Sequence, residues 1–293
     1  MIPKVSVIIT SIGRPELGAA ISSVKNQTYK NIEIIVVLDG SLPDGVEIDN
    51  QDVKIVYLDH VNNGNTSRNI GITASTGEFI ALLDDDDIFY PNKIQKQVEQ
   101  VMKEDDVTKI VSYTKVKLFN SKNNVSKKLL SSPIKGDEKV LDYLFRRTNP
   151  GFIQTSTLFA HRSIFLNNLF DETIPKHQDW DWLVNVQNNL NVQFKMVDDF
   201  LVEYRINSIG TSVGTQNKWR FSLTWFSKYE SDVSKYTKAN FKYAIIGNIV
   251  KDRNMKRKDK ILESFRLLGS IPLWYFDLWA KSMIQIVGYS LKR

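Results

Sequence analysis

The stretch Glu78-Phe79-Ile80-Ala81-Leu82-Leu83-Asp84-Asp85-Asp86-Asp87 frames the rest of the chain. An apolar run bounded by Gly77 and by acids predicts a buried strand that delivers four carboxylates where the backbone turns. Like charges so close repel unless something cationic sits among them. Oxygen ligands at this spacing suit a hard divalent ion such as Mg²⁺ or Mn²⁺, which keeps positions open for substrate phosphates. The plainer alternative is a solvated acidic loop ahead of a helix starting near Pro91-Asn92.

Working toward the N-terminus, strand and helix patterns alternate. Val5 to Thr10 is a β-branched run, followed by the turn Ser11-Ile12-Gly13-Arg14-Pro15. Leu17, Ile21 and Val24 then fall on one helix face. Asn31 to Leu38 is apolar nearly throughout, as in a strand covered on both faces, and ends in Asp39-Gly40-Ser41. Val53 to Leu58 repeats the pattern, and Asn62 to Asn69 is a turn running into a short helix. Such alternation predicts an α/β fold with a mostly parallel sheet, whose ligands bind beyond the carboxyl ends of the strands. Asp39 and the acidic run both sit at such ends.

Downstream, Ile94, Val98 and Val101 mark a helix face, and Val107 to Phe119 reads as one or two strands. Ser121 to Gly136 is polar and Lys-rich and reads as a solvated loop, with a lid as the alternative. Asp137 to Arg147 suits a helix, Thr155 to Ala160 a strand, Ser163 to Leu169 a helix and Gln193 to Leu201 a last strand. His177-Gln178-Asp179-Trp180-Asp181-Trp182 should open a helix at an acidic N-terminus.

The 293 residues carry a net charge of +6, unevenly spread. From Val213 onward there are 16 Lys/Arg against 6 Asp/Glu, a balance of +10 that leaves −4 for residues 1–212. We expect a domain over 1–212 and a helical, basic and aromatic extension over 213–293, whose charge suits a membrane surface or nucleic acid. Within Ile271 to Tyr289, Asp277, Lys281 and Gln285 draw a polar stripe on an otherwise apolar helix. It would lie in a bilayer interface, or pack on the body or a second subunit; a membrane span is disfavoured by Asp277 and Lys281. The absence of cysteine excludes disulfides, thiolate metal sites and a cysteine nucleophile. With no signal-peptide pattern at the start, a cytoplasmic setting is expected.

Taken in order, several motifs over roughly the first 210 residues resemble those of the inverting family 2 glycosyltransferases of GT-A fold, with a Rossmann-like central sheet flanked by helices. They are Val5 to Thr10 with Arg14-Pro15-Glu16, Ile35 to Ser41, Asn63-Gly64 with Ser67-Arg68-Asn69, and the acidic strand through Pro91. Gln178-Asp179-Trp180-Asp181 and Tyr204-Arg205 with Thr211-Ser212 complete the series. The resemblance implies that Thr10, Arg14, Asp39, Arg68, Asp84, Asp85, Tyr204 and Arg205 bind a UDP-sugar. Asp86 would hold Mn²⁺ or Mg²⁺ at the diphosphate, and Asp179 would be the catalytic base, with Asp181 competing. A frame shifted to Asp85 and Asp87 is the alternative for the metal motif. Gln178 stands where Glu is usual in the family, and Asn207 where His is often found.

The chemistry implied is transfer of one hexose, with inversion, to a glycan or a carrier-lipid-linked acceptor in bacterial surface polysaccharide synthesis. Processive relatives carry a Gln-x-x-Arg-Trp element; here Gln216 is followed by Trp219-Arg220 in reversed order. The implied location is the cytoplasm, extending to the inner face of the cell membrane. The C-terminal helices would meet that membrane or another copy of the chain, with no nucleic acid as partner. The rival readings are a sugar-nucleotide nucleotidyltransferase, for which Ser11-Ile12-Gly13-Arg14 is a poor phosphate loop, and a non-catalytic polyanion-binding or membrane-binding protein.

Overall fold

A computed structural model describes residues 2–42, 48, 52–59, 63–120, 124–206 and 217–291. Of the motif residues, Asn207, Thr211, Ser212 and Gln216 lie outside that set. In chain order the first elements are β1 (Val5–Ser11), α1 (Leu17–Lys25), β2 (Ile32–Asp39), β3 (Val53–Leu58), α2 (Gly64–Ala74), β4 (Phe79–Asp84), β5 (Ile88–Phe89), α3 (Lys93–Val101), β6 (Ile110–Asn120) and β7 (Val125–Lys128). There follow α4 (Val140–Leu144), β8 (Phe159–His161), α5 (Arg162–Asn167), α6 (Gln178–Leu190), β9 (Gln193–Ile206), α7 (Trp219–Ser227), α8 (Lys235–Lys251), α9 (Arg257–Gly269) and α10 (Phe276–Leu291). Two units emerge: residues 1–137 with 151–208, and residues 138–150 with 209–293. Residues 138–150, expected in the first domain, group instead with the C-terminal helices.

In the first unit all described strands form one sheet in the order β3-β2-β1-β4-β8-β6-β9-β5, with β7 paired to β6. Strands β3, β2, β1 and β4 are mutually parallel, β8 runs against β4 and β6, and β6 and β9 are parallel to each other. The runs that read as buried strands are buried: Ile35 to Leu38 and Ile80 to Leu83 are almost wholly removed from water. β3 differs, because it is the sheet edge and leaves Tyr57 exposed. Leu17, Ile21 and Val24 of α1 and Ile94, Val98 and Val101 of α3 supply helix faces to the same core. Helix α2 lies so close to the sheet that a Cβ at Gly71 would meet Ile8 Cγ2 at 2.4 Å.

Three sequence expectations change. The Lys-rich stretch contains β7, which pairs antiparallel with β6 from Lys117↔Lys128 to Asn120↔Val125. All four of its side chains are exposed, so it has no apolar alternation to betray a strand. Thr155 to Ala160 is not one strand but a 3-10 turn over Thr155–Thr157 followed by β8. Local bonds impose that turn, since Gln154 Oε1 accepts from Ser156 N at 2.9 Å and Thr157 Oγ1 accepts from Gln154 N at 3.3 Å. The third change concerns the last helix, which starts at Phe276 rather than near Ile271. Pro272 opens a turn that closes with Tyr275 N donating to Pro272 O at 3.0 Å.

The second unit is helical. Ala239 and Ile246 of α8, Leu268 of α9, and Leu278 and Ile286 of α10 form its core with Ile271. The polar stripe of α10 does not face water as a whole: Asp277 pairs with Arg147 at 3.5 Å, and Gln285 Oε1 is buried. A Cβ at Gly247 would approach that Gln285 oxygen to 3.3 Å. No helix among the described residues is long and apolar enough to cross a membrane.

Candidate functional site

Parallel pairing brings the first candidates to one edge. Thr10 of β1 stands opposite Asp84 of β4, and Ser11 pairs with Leu38, one residue before Asp39. Two strand spacings, about 10 Å, separate the ends of β2 and β4. Asp39 is buried there, while Thr10 and Asp84 are partly open. The turn after β1 needs Gly13, whose φ is +81° and whose missing Cβ would fall 2.4 Å from the Ser41 carbonyl oxygen.

The four acids alternate in burial, with Asp84 and Asp86 half-open and Asp85 and Asp87 inside. Asp85 accepts from Ser11 Oγ at 2.6 Å and from Arg14 Nη1 at 2.8 Å, so its oxygens are used within the fold. Burial raises its pKa against the pull of Arg14. Asp85 thus holds Arg14, which also reaches Asp86 at 3.1 Å. Asp87 is buried completely and accepts from Gln154 Nε2 at 2.9 Å, Ser156 Oγ at 2.6 Å and the Arg205 backbone N–H at 3.0 Å. Burial, then the charges of Asp84 and Asp86, push it well above the ordinary carboxylate range. The shifted metal frame, Asp85 with Asp87, therefore has neither carboxylate facing outward.

Asp84 is held from two sides, by Arg68 Nη2 at 2.9 Å and by Gln154 Nε2 at 3.3 Å. Arg68 is itself buried and forks: Nη1 donates to Asn65 Oδ1 and to Gln178 Oε1, each at 3.1 Å, and its guanidinium lies over the Phe170 ring. Its Nε is buried without a partner. The link through Gln178 ties β4 to the start of α6. Asp179, next in the chain, has its pKa raised to about 6 by burial, with Arg68 opposing the rise and Asp84 adding to it. Its Oδ1 accepts from Trp180 N at 3.0 Å. Asp181, two positions on, is buried and takes a bond from Asn185 at 2.9 Å on another side of the helix. Before them, His177 occupies the left-handed region at φ 63° and stacks on Trp180, its pKa pushed down to about 3 by burial.

At the end of β9 strand alternation divides the expected pair. Tyr204 is half-buried with its ring 6.0 Å from that of Phe152, and burial plus the charges of Asp87, Asp84, Asp179 and Asp86 raise its phenol pKa strongly. Arg205 points to the other face, pairing with Glu203 at 2.9 Å and lying over Phe119. Its backbone N–H, rather than its guanidinium, bonds Asp87, as the alternation of side chains along a strand requires. Gln154, Ser156, Ser11 and Asn65 were not singled out from the sequence. For Gln154 a signal existed, the Gln154-x-x-Thr157 capping pattern.

A divalent ion here would rest on few protein oxygens. Among the described residues no group of three or more His, Asp or Glu is arranged to hold a metal by itself. Asp86 is half-open, and burial and then the charge of Asp84 raise its pKa to about 6 despite Arg14. A carboxylate in that state suits a cation taking one or two protein oxygens and filling its remaining positions with phosphate and water, as Mg²⁺ does.

The field of Asp84 falls on Asp86, Asp87, Asp179 and Tyr204 alike, so the ends of β4 and β9 and the start of α6 share one site. Residues 6–173 match the model of "Glycosyl transferase family 2". That match ends before α6, leaving Asp179 and Tyr204 beyond it. An uncharacterized glycosyltransferase of Rickettsia typhi is 30% identical over 291 residues, covering 98% of this chain and 87% of its own. The amylovoran biosynthesis glycosyltransferase AmsB of Erwinia amylovora is 27% identical, covering 78% of this chain and 79% of its own. A relative from Rickettsia bellii is 31% identical over 77% of this chain, which spans only 32% of that relative's length. Among solved structures, TarS 1-349 of S. aureus in complex with UDP superimposes with a TM-score of 0.59 at 12% identity, covering 98% of this chain and 88% of its own. With the motif order, the mostly parallel sheet and these likenesses together, the chain belongs to glycosyltransferase family 2 and has a fold of GT-A type.

Proposed function

We propose that this protein transfers one hexose from a UDP-sugar to an acceptor hydroxyl with inversion at the anomeric carbon, and then releases the product. The observation that carries the reading is Asp179, a carboxylate with a pKa of about 6 in the shared field of Arg68 and Asp84. A base poised there is ionised at neutral pH and still basic enough to take a proton in the transition state. The acceptor O–H gives its proton to Asp179 as the oxygen attacks the anomeric carbon. The bond from that carbon to the diphosphate oxygen breaks on the opposite side, and its electron pair leaves with UDP.

Thr10, Asp39 and Asp84 would receive the nucleoside, a reading supported by their shared place at the carboxyl ends of β1, β2 and β4, with Arg68 bonding Asp84. Arg14, held by Asp85, offers positive charge next to Asp86 where the diphosphate would lie. A Mn²⁺ or Mg²⁺ ion held by Asp86, with Asp84 near it, would supply Lewis-acid stabilisation of the leaving diphosphate. Tyr204, in the field of the same acids, would border the donor pocket. For the donor, support comes from the TarS structures with UDP and with UDP-GlcNAc; for the pathway, from the Erwinia relative named for amylovoran biosynthesis. The acceptor on this reading is a growing surface glycan on a carrier lipid, met at the inner face of the cell membrane.

The test is a panel of UDP-sugars with Mn²⁺ or Mg²⁺, read by UDP release and by melting temperature. Stabilisation by UDP with a divalent ion but not by ATP is expected. Stabilisation by ATP and sugar phosphate instead would favour the nucleotidyltransferase reading.

A further inference from the structure

We propose that the outward face of the second unit, centred on the α9–α10 connection, is a docking surface for an anionic lipid bilayer. Helices α8, α9 and α10 already use Ala239, Ile246, Leu268, Leu278 and Ile286 to make their own core. A second set of large apolar side chains is left over, turned to water: Leu262 at 66% exposure, Leu273 at 68%, Trp274 at 73%, Phe276 at 68% and Ile284 at 72%. Phe265, one turn before the end of α9, is 45% exposed. Scattered apolar residues on a surface need no explanation, but here three of four consecutive positions, 273, 274 and 276, project from one turn.

The position of these residues departs from the polar-stripe reading of α10. Around the helix, Leu278, Ser282 and Ile286 point inward, Gln285 lies beside them, and Asp277, its charge paired with Arg147, sits about 20° from Ile284. Phe276, Ala280, Ile284 and Val287 therefore occupy the opposite side, so the unpartnered face is the apolar one. Cations border it: Arg257 and Lys258 at the start of α9, with exposed Asp259 beside them, Arg266 in its last turn, paired with Glu263 at 3.8 Å, and Lys281 on α10 are all exposed. An aromatic and aliphatic face ringed by Lys and Arg is the pattern of a helix pair lying in the headgroup region.

Charge selects the occupant. Residues 138–150 and 209–293 together hold 19 Lys/Arg against 8 Asp/Glu, a balance of +11. A second copy seated on this face would oppose its own basic rim, whereas an anionic leaflet complements it. Docking deepens the reading of a lipid-linked acceptor and rests on it for its purpose. Vesicle binding needs neither donor nor acceptor, so its failure would leave sugar transfer untouched, and a failure of transfer would leave docking untouched.

The experiment floats the full chain with vesicles of phosphatidylcholine alone or mixed with phosphatidylglycerol. Wild type should float with the mixed vesicles, and less so as salt rises. The variant Leu273→Ser/Trp274→Ser/Phe276→Ser should lose at least about tenfold in partitioning. Its melting temperature and UDP binding should be unchanged, because all three side chains are already in water. Arg266→Glu/Lys281→Glu should weaken binding to the mixed vesicles. Equal flotation of the triple variant, equal binding to neutral vesicles, or self-association abolished by the same substitutions without any flotation would each overturn the proposal.

Discussion

Asp87 and Arg205, 118 positions apart, are joined by a 3.0 Å hydrogen bond from the Arg205 backbone N–H to Asp87 Oδ1. Through this bond and the two donated by Gln154 and Ser156, one buried carboxylate fixes three segments: the acidic turn, the 3-10 turn after residue 154 and the end of β9. The register of that strand end decides that Tyr204 faces the acids and Arg205 does not.

Asp179→Asn should retain UDP-sugar binding and lose about 10²–10⁴-fold in turnover, the usual worth of a positioned base. The same variant should be more stable above neutral pH, by about 1–3 kcal/mol, because burial of an ionised Asp179 costs the fold. Isothermal titration with UDP-sugar and a melting curve check the two halves. Retained turnover would move the base to Asp181.

Activity should fall as pH drops through about 6, where Asp179 takes up a proton and ceases to accept one from the acceptor. Stability should move the opposite way. Asp86 and Asp179 both have folded pKa values raised from 3.8 to about 6, so their contribution is fully present below 3.8 and lost as pH rises through about 6. Kinetics and melting across that range should therefore trend in opposite directions, and UDP with a divalent ion should recover part of the loss at higher pH.

Arg68→Lys should not substitute for Arg68, since one ammonium cannot serve Asp84, Asn65 and Gln178 from a planar fork. In Arg68→Ala the acid limb of the pH–rate profile should shift upward by roughly one unit, because Arg68 holds the Asp179 pKa down. An unmoved limb would separate Arg68 from the base.

Gln154→Ala should destabilise the protein by about 1–3 kcal/mol, as it strips a donor from a carboxylate that cannot reach water. Ser156→Ala should act similarly. Denaturant midpoints measure both.

Arg205→Ala should change donor KM by less than about threefold, whereas Tyr204→Ala should change it more, since only the Tyr204 side chain faces the acids. Equal effects would mean that Arg205 swings to the ligand.

Periodicity and charge alone identify much of this protein. The apolar runs ending in Asp39 and Asp84, and the helix faces Leu17/Ile21/Val24 and Ile94/Val98/Val101, are local patterns whose burial follows from side-chain spacing. β7 and the turn at Gln154 escaped, because an edge strand exposed on both faces carries no alternation and a capping bond carries little apolar signal. Residue type likewise determined that carboxylates would crowd the end of β4. Which of them stay open was decided by tertiary structure, where Ser11, Arg14, Gln154 and Ser156, distant in sequence, take up Asp85 and Asp87. The same holds for Tyr204 and Arg205, identical in their sequence claim and separated by pleat, and for α10, whose outward side depends on which face its neighbours cover.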